Sequence, residues 1–212
     1  MSSNSSRAAV EVVRVAASDD RTRYDDVTIG LHWLTVILVL AQLGTSQLWD
    51  FTAKPTKHLM IVSHMSFGIL LGAIVIARII WRFLPGHQVR AADVGWTEAL
   101  AKGVQYLLYA LLLVQPVLGF ILRWSGNEAM SFFGLQLPPP FAPFSKDAHR
   151  FVGEAHNWVG WAIILVAFGH ALAALFHHFA LRDDVLWRML PGERARRETE
   201  PAPIPERAAG LR

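Results

Sequence analysis

The chain has 212 residues, of which 53% are hydrophobic and only 17% charged, where soluble domains carry about 25% charged residues. It has no cysteine, which excludes disulfides, thiolate-held iron–sulfur clusters and the C-x-x-C-H attachment of c-type haem. The net charge is +3, but the arginines lie in the tails and between hydrophobic runs with no basic face, which excludes nucleic acid as a partner.

Residues 1–26 are polar, mixed in charge and without the apolar run of a signal peptide, and read as a flexible tail. Four apolar segments follow, at about 29–49, 62–82, 103–122 and 156–179. Each is close to the ~20 residues that cross a ~30 Å hydrocarbon layer as a helix. The expected fold is all-α, an integral membrane four-helix bundle over residues 27–181, running up-down-up-down. Residues 182–212 are basic and contain proline, and read as a second tail.

The lysine and arginine count orients the bundle. Four basic residues precede helix 1, four lie around the helix 2–3 connection (Arg78, Arg82, Arg90, Lys102) and seven fall between Arg182 and Arg212. That puts 15 of the 20 basic residues on one side. The positive-inside rule then makes both termini cytoplasmic, in a multi-pass protein of the bacterial inner membrane. Trp33, Trp49, Trp81 and Trp124 stand at segment ends as interface anchors, and Pro116 interrupts helix 3. No internal repeat stands out.

Ionisable side chains at membrane depth are costly and mark function. Six histidines qualify: His32, His64, His156, His170, His177 and His178; His58, His87 and His149 fall in connections and read as surface residues. His156 and His170 are 14 residues apart, about 21 Å of helix rise and within ~40° of one face. With helix directions fixed by topology, His64 matches His156 in depth near the outer side, and His32 matches His170 near the inner side. Two neutral imidazoles from facing helices are what a b-type haem needs. The expectation is two haems b, the outer on His64 and His156 and the inner on His32 and His170. His177, seven residues past His170, is the rival inner ligand.

Gly68 and Gly160 each follow a histidine by four residues, on the same helix face. Either they clear room for a porphyrin, or they serve plain helix packing, since Gly68 and Gly72 form a G-x-x-x-G. Arg78 and Arg82 are placed to pair with propionates of the inner haem or to anchor the cytoplasmic interface.

With these residues in place, residues 24–191 resemble the bacterial cytochrome b561 family of four-helix dihaem membrane cytochromes. The resemblance rests on G-L-H-W-L at 30–34, S-H-M-S-F-G at 63–68 and L-L-Y-A-L-L-L-V-Q-P-V-L-G at 107–119. Its most specific part is H-A-L-A-A-L-F-H-H-F at 170–179 followed by R-D-D-V-L-W-R-M-L-P at 182–191. It implies His32, His64, His156 and His170 as haem ligands, and so favours His170 over His177. One departure is Gln105, where family members often carry a histidine.

The resemblance implies electron transfer between a membrane quinone, with ubiquinone the expected exchangeable partner, and a second redox partner; one member is described as oxidising superoxide. Two other readings stay open. One is a haem-b anchor subunit of a larger dehydrogenase or hydrogenase complex. The other is a histidine-based non-haem metal protein, although a dense histidine box is missing. Beyond the bilayer, the expected associates are the quinone, an unidentified redox protein and a second copy of the chain. The aromatic, proline-rich stretch 132–144 reads as a loop lying on the outer membrane surface.

Overall fold

The computed structural model describes residues 24–84 and 95–191. The expected tails thus lie almost wholly outside the described residues, as do His87 and Arg90. Four long helices account for most of the rest: α1 (Asp26–Leu48), α2 (Lys54–Phe83), α3 (Trp96–Ser125) and α4 (Lys146–Phe176). All four are long and apolar enough to cross a membrane.

Three of the helices outrun their apolar segments. The segment expected at 62–82 is part of a helix beginning at Lys54, and the one expected from 156 begins at Lys146. A bilayer with its headgroups is about 40–45 Å thick, and a 30-residue helix such as α2 rises about 45 Å. Polar residues therefore continue each helix through the headgroup layer. Its end is set by capping rather than by the last apolar residue. Asp25 accepts hydrogen bonds from the Thr28 amide and hydroxyl at the start of α1, and Ser145 caps α4 in the same way.

The bundle is built as two hairpins. Helix α1 packs along α2 and α3 along α4, while α2 meets α3 between them. Helix α4 packs closely on α3 and stands away from α1 and α2, which leaves a crevice between the hairpins. At mid-depth the crevice is closed by a core of Leu38, Leu71, Ile74, Val75, Leu112 and Ile163. Pro116 seats its ring against Gly72, where a Cβ would stand 3.1 Å from Pro116 Cγ. The interruption in helix 3 thus serves the α2–α3 contact.

The tryptophans do more than mark the interface. Trp81 Nε1 donates to Asp25 at 3.0 Å, Trp33 Nε1 to the Met189 carbonyl at 2.8 Å, and Trp124 Nε1 to the Leu137 carbonyl at 3.1 Å. Each ties a helix end to a neighbouring segment.

The stretch expected as a surface loop holds an antiparallel hairpin, β1 (Met130–Phe132) and β2 (Leu135–Leu137). Both turn residues have positive φ, 46° at Phe133 and 94° at Gly134, as a tight two-residue hairpin turn requires. Glycine adopts this without cost, whereas phenylalanine does not. Compensation comes from α2: the Phe133 amide donates to Ser66 Oγ at 2.9 Å and its ring meets Phe67 at 6.1 Å. Ser66 is 1% exposed, so the turn is pinned into the bundle. Ser66→Ala should leave the four helices intact while amide exchange at Phe133 accelerates about fivefold, matching the ~1 kcal/mol of one lost hydrogen bond. Unchanged exchange would mean that the rings alone hold the hairpin.

Candidate cofactor sites

Helix α4 carries His156 and His170 on one face, toward the crevice, and each ring meets an imidazole from the other hairpin. At the hairpin end, the His64 and His156 ring centroids are 6.4 Å apart with planes at 69°. At the end nearer the termini, His32 and His170 are 6.5 Å apart at 70°. A metal–imidazole bond is about 2 Å long, and the ring centre lies about 1 Å behind the bonding nitrogen. Two imidazoles on one ion therefore have centroids about 6 Å apart. Both pairs have the spacing that two imidazoles would take on one metal ion, and both span the crevice rather than a packed helix contact.

Among the described residues, no group of three or more His, Cys, Asp or Glu side chains converges on a metal-sized point. A bare ion wants three or four protein ligands, whereas a porphyrin supplies four of its own. The donor set thus suits haem.

The four rings have unlike surroundings. The His64 ring is flanked on two sides: Thr45 Oγ1 lies 3.1 Å from its Nδ1 and the Trp49 ring stands edge-on at 5.4 Å; Gln42 Nε2 donates to the residue's backbone carbonyl at 3.0 Å. At His156, Gln115 Nε2 donates to the backbone carbonyl at 3.0 Å, while the buried ring Nδ1 has no hydrogen-bond partner. At His32, Arg78 Nη2 is 3.3 Å from Nδ1, and the guanidinium also lies over the Tyr109 ring at 5.5 Å.

Arg78 has no carboxylate partner among the described residues. A half-buried guanidinium at this depth wants an anion beside it. It borders a shallow cleft lined by Tyr24, Thr28, Arg82, Gln105 and Tyr109, among others.

The two glycines are covered by amides. A Cβ at Gly68 would lie 2.8 Å from Gln42 Nε2, and one at Gly160 would lie 3.2 Å from Gln115 Nε2. Gln42 and Gln115 escaped the sequence reading, although each repeats the same relation to its histidine and glycine.

The remaining histidines fall outside the crevice. His177 Nδ1 pairs with Asp183 Oδ2 at 2.6 Å, and His178 meets the rings of Phe179 and Trp187. Burial alone would raise the Asp183 carboxyl, but the hydrogen bonds from His177 and the Val185 amide outweigh it and hold Asp183 below the usual carboxylate range. His58 is exposed, as expected, but on α2 rather than in a connection. His149 corrects the surface reading: it is half-buried in the first turns of α4 and hydrogen-bonded to Ser125 Oγ at 2.8 Å. Residue 149 looked like loop because α4 begins before its apolar run.

The family described as "Prokaryotic cytochrome b561" matches residues 23–192. The chain is 30% identical over 175 residues to "Cytochrome b561 homolog 2" of Escherichia coli (strain K12), covering 79% of this chain and 91% of the relative. It is 27% identical over 173 residues to "Probable superoxide oxidase CybB" of Yersinia pestis, covering 81% and 98%. Over 173 residues it is 30% identical to "Cytochrome b562" of Cereibacter sphaeroides, covering 79% and 94%.

Proposed function

Because the chain belongs to the prokaryotic cytochrome b561 family, whose members are membrane proteins that move electrons by way of b-type haem, we propose that it carries electrons across the bacterial inner membrane through two haems. His64 and His156 hold the outer haem, and His32 and His170 the inner one. The observation that carries this reading is the pair of centroid distances, 6.4 and 6.5 Å, at two depths of one crevice. Haem bound at these pairs supplies iron that alternates between ferric and ferrous forms, one electron at a time.

The surrounding residues have distinct tasks. Arg78, with no carboxylate partner among the described residues, pairs with a propionate of the inner haem, and Arg82 faces the same cleft. Coordination through Nε2 requires the His32 hydrogen on Nδ1. A guanidinium cannot accept that hydrogen, so the Arg78–His32 contact would give way with haem bound, and Arg78 would be left to hold a propionate. Gly68 and Gly160 make room for the Gln42 and Gln115 amides, which lie directly over them beside the outer pair.

The positive-inside count supports cytoplasmic termini, which makes the hairpin end outer. A quinone takes the cleft at the inner end, where Gln105, Tyr24 and Tyr109 offer hydrogen bonds to its carbonyls. Reducing one quinone to quinol takes two electrons and two protons, hence two passages through the chain. The likeness to a probable superoxide oxidase supports superoxide as the outer donor, each molecule giving one electron and leaving as dioxygen.

The test is a reduced-minus-oxidised pyridine haemochrome spectrum of detergent-purified protein, with haem counted per chain. Two b-type haems are expected. One haem would leave a histidine pair without a cofactor, and none under adequate haem supply would overturn the reading.

A further inference from the structure

Thr45 lies one helix turn from the end of α1, and neither motif nor spacing drew attention to it. Its hydroxyl stands 2.8 Å from the Ala41 carbonyl and 3.1 Å from the Gln42 carbonyl. A hydroxyl has one hydrogen, and those carbonyls take it, as threonines in helices commonly arrange. What Thr45 turns toward His64 Nδ1, at 3.1 Å, is therefore a lone pair.

We propose that Thr45 is the positioning residue of the outer site: its hydroxyl accepts the Nδ1 hydrogen of His64, which leaves Nε2 bare toward the haem iron and lowers the midpoint potential of that haem relative to the inner one. The proposal rests on His64 being a haem ligand.

Three observations carry it. The contact selects one tautomer, the one with its free lone pair on Nε2, and fixes the ring direction. The Trp49 ring stands edge-on to the same imidazole at 5.4 Å, so the hydroxyl meets a ring that is flanked on a second side. The contrast with the other histidines is sharp. His156 Nδ1 is buried with no acceptor, and His32 Nδ1 faces a group that can only donate.

An imidazole whose Nδ1–H is held by an acceptor is the more basic ligand and favours the ferric iron. The Arg78 charge beside the inner pair favours the ferrous iron instead. The two sites are thereby ordered, and an electron delivered outside runs inward downhill.

The experiment is a potentiometric titration of the full-length holoprotein in detergent, followed at the haem absorption band, with haem counted for each variant. Wild type should give two one-electron waves, and His64→Ala should identify the outer wave by losing it. Thr45→Val should keep both haems and shift the outer wave alone to higher potential, while Thr45→Ser restores the native value. Loss of the outer haem in Thr45→Val with full retention in Thr45→Ser also supports the hydroxyl. An outer wave unmoved in Thr45→Val, two waves moving together, or haem loss in both Thr45 variants would overturn the role of Thr45 and leave the haem assignment standing. Retention of both waves in His64→Ala would instead overturn the assignment itself and the proposal with it.

Discussion

Replacing His156 with alanine is expected to lower the haem content from two per chain to one and to erase one redox wave, leaving the His32–His170 site loaded. The ring of His156 faces His64 at 6.4 Å across the crevice, and no second imidazole meets it among the described residues. Gln115 is the nearest substitute, its amide nitrogen 3.4 Å from His156 Nε2, and an amide is a poor ligand for haem iron compared with imidazole. The substitution should not unfold the bundle, because α4 is anchored on α3 by contacts away from this ring. His64→Ala should give the same loss, and the double variant no more than either single one, since both ligands serve one haem. Imidazole added to the His156→Ala protein should restore part of the missing band. Two haems in that variant would refute the pairing.

The transmembrane design was legible because hydrocarbon imposes it. No water is available there for unpaired backbone groups, so apolar runs of the right length must be helices. The helix ends were less legible. In the headgroup layer polar residues are as welcome as apolar ones, and the start of α4 at Lys146 is signalled only by the Ser145 cap. The hairpin at 130–137 was missed for a different reason. Its strands have three residues each, too few for alternation to register. What fixes it is a buried serine 67 positions before Phe133 in the chain.

The histidine pairs were legible through depth, since helix direction and rise convert sequence position into height in the bilayer. Their surroundings were not, because they come from α1 and α3, whose rotation about their axes no residue count supplies. Yet one regularity stood in the sequence unread. Gly68 follows His64 by four residues and Arg78 follows it by 14; Gly160 follows His156 by four and His170 follows it by 14. Likewise Gln42 follows His32 by 10 residues, and Gln115 follows Gln105 by 10. The two helical hairpins therefore repeat one pattern, with Arg78 where the second has His170 and Gln105 where the first has His32. Unequal connections hide the repeat from a linear scan. It becomes visible once Gln42 and Gln115 are seen donating to the carbonyls of His64 and His156 at the same distance, 3.0 Å. The His64–His156 pair draws equivalent positions from both hairpins. The inner site is filled from one position of each type, and its two remaining positions hold a cation and an amide.

That asymmetry leads to the second large effect: His170→Ala should remove the inner haem, and His177→Ala should not. His177 lies seven residues further along the chain, about 10 Å closer to the end of the bundle, and close enough to the same face to compete on spacing alone. Its Nδ1, however, is paired with Asp183 at 2.6 Å, where the chain leaves α4 through a widened turn at His177–Leu181 and reverses at Arg182 with φ 54°. That pair holds the closing segment, whose Met189 carbonyl takes the hydrogen bond from Trp33 on α1. His177→Ala should therefore keep both haems and both waves while exposing residues 182–191 to faster proteolysis. His170→Ala should halve the haem content and spare the outer wave, because His32 would be left facing Arg78, which cannot ligate iron. If His177→Ala lost the inner haem and His170→Ala kept it, the inner ligand would lie two helix turns nearer the end of the bundle, and the pairing of His32 with His170 would be wrong.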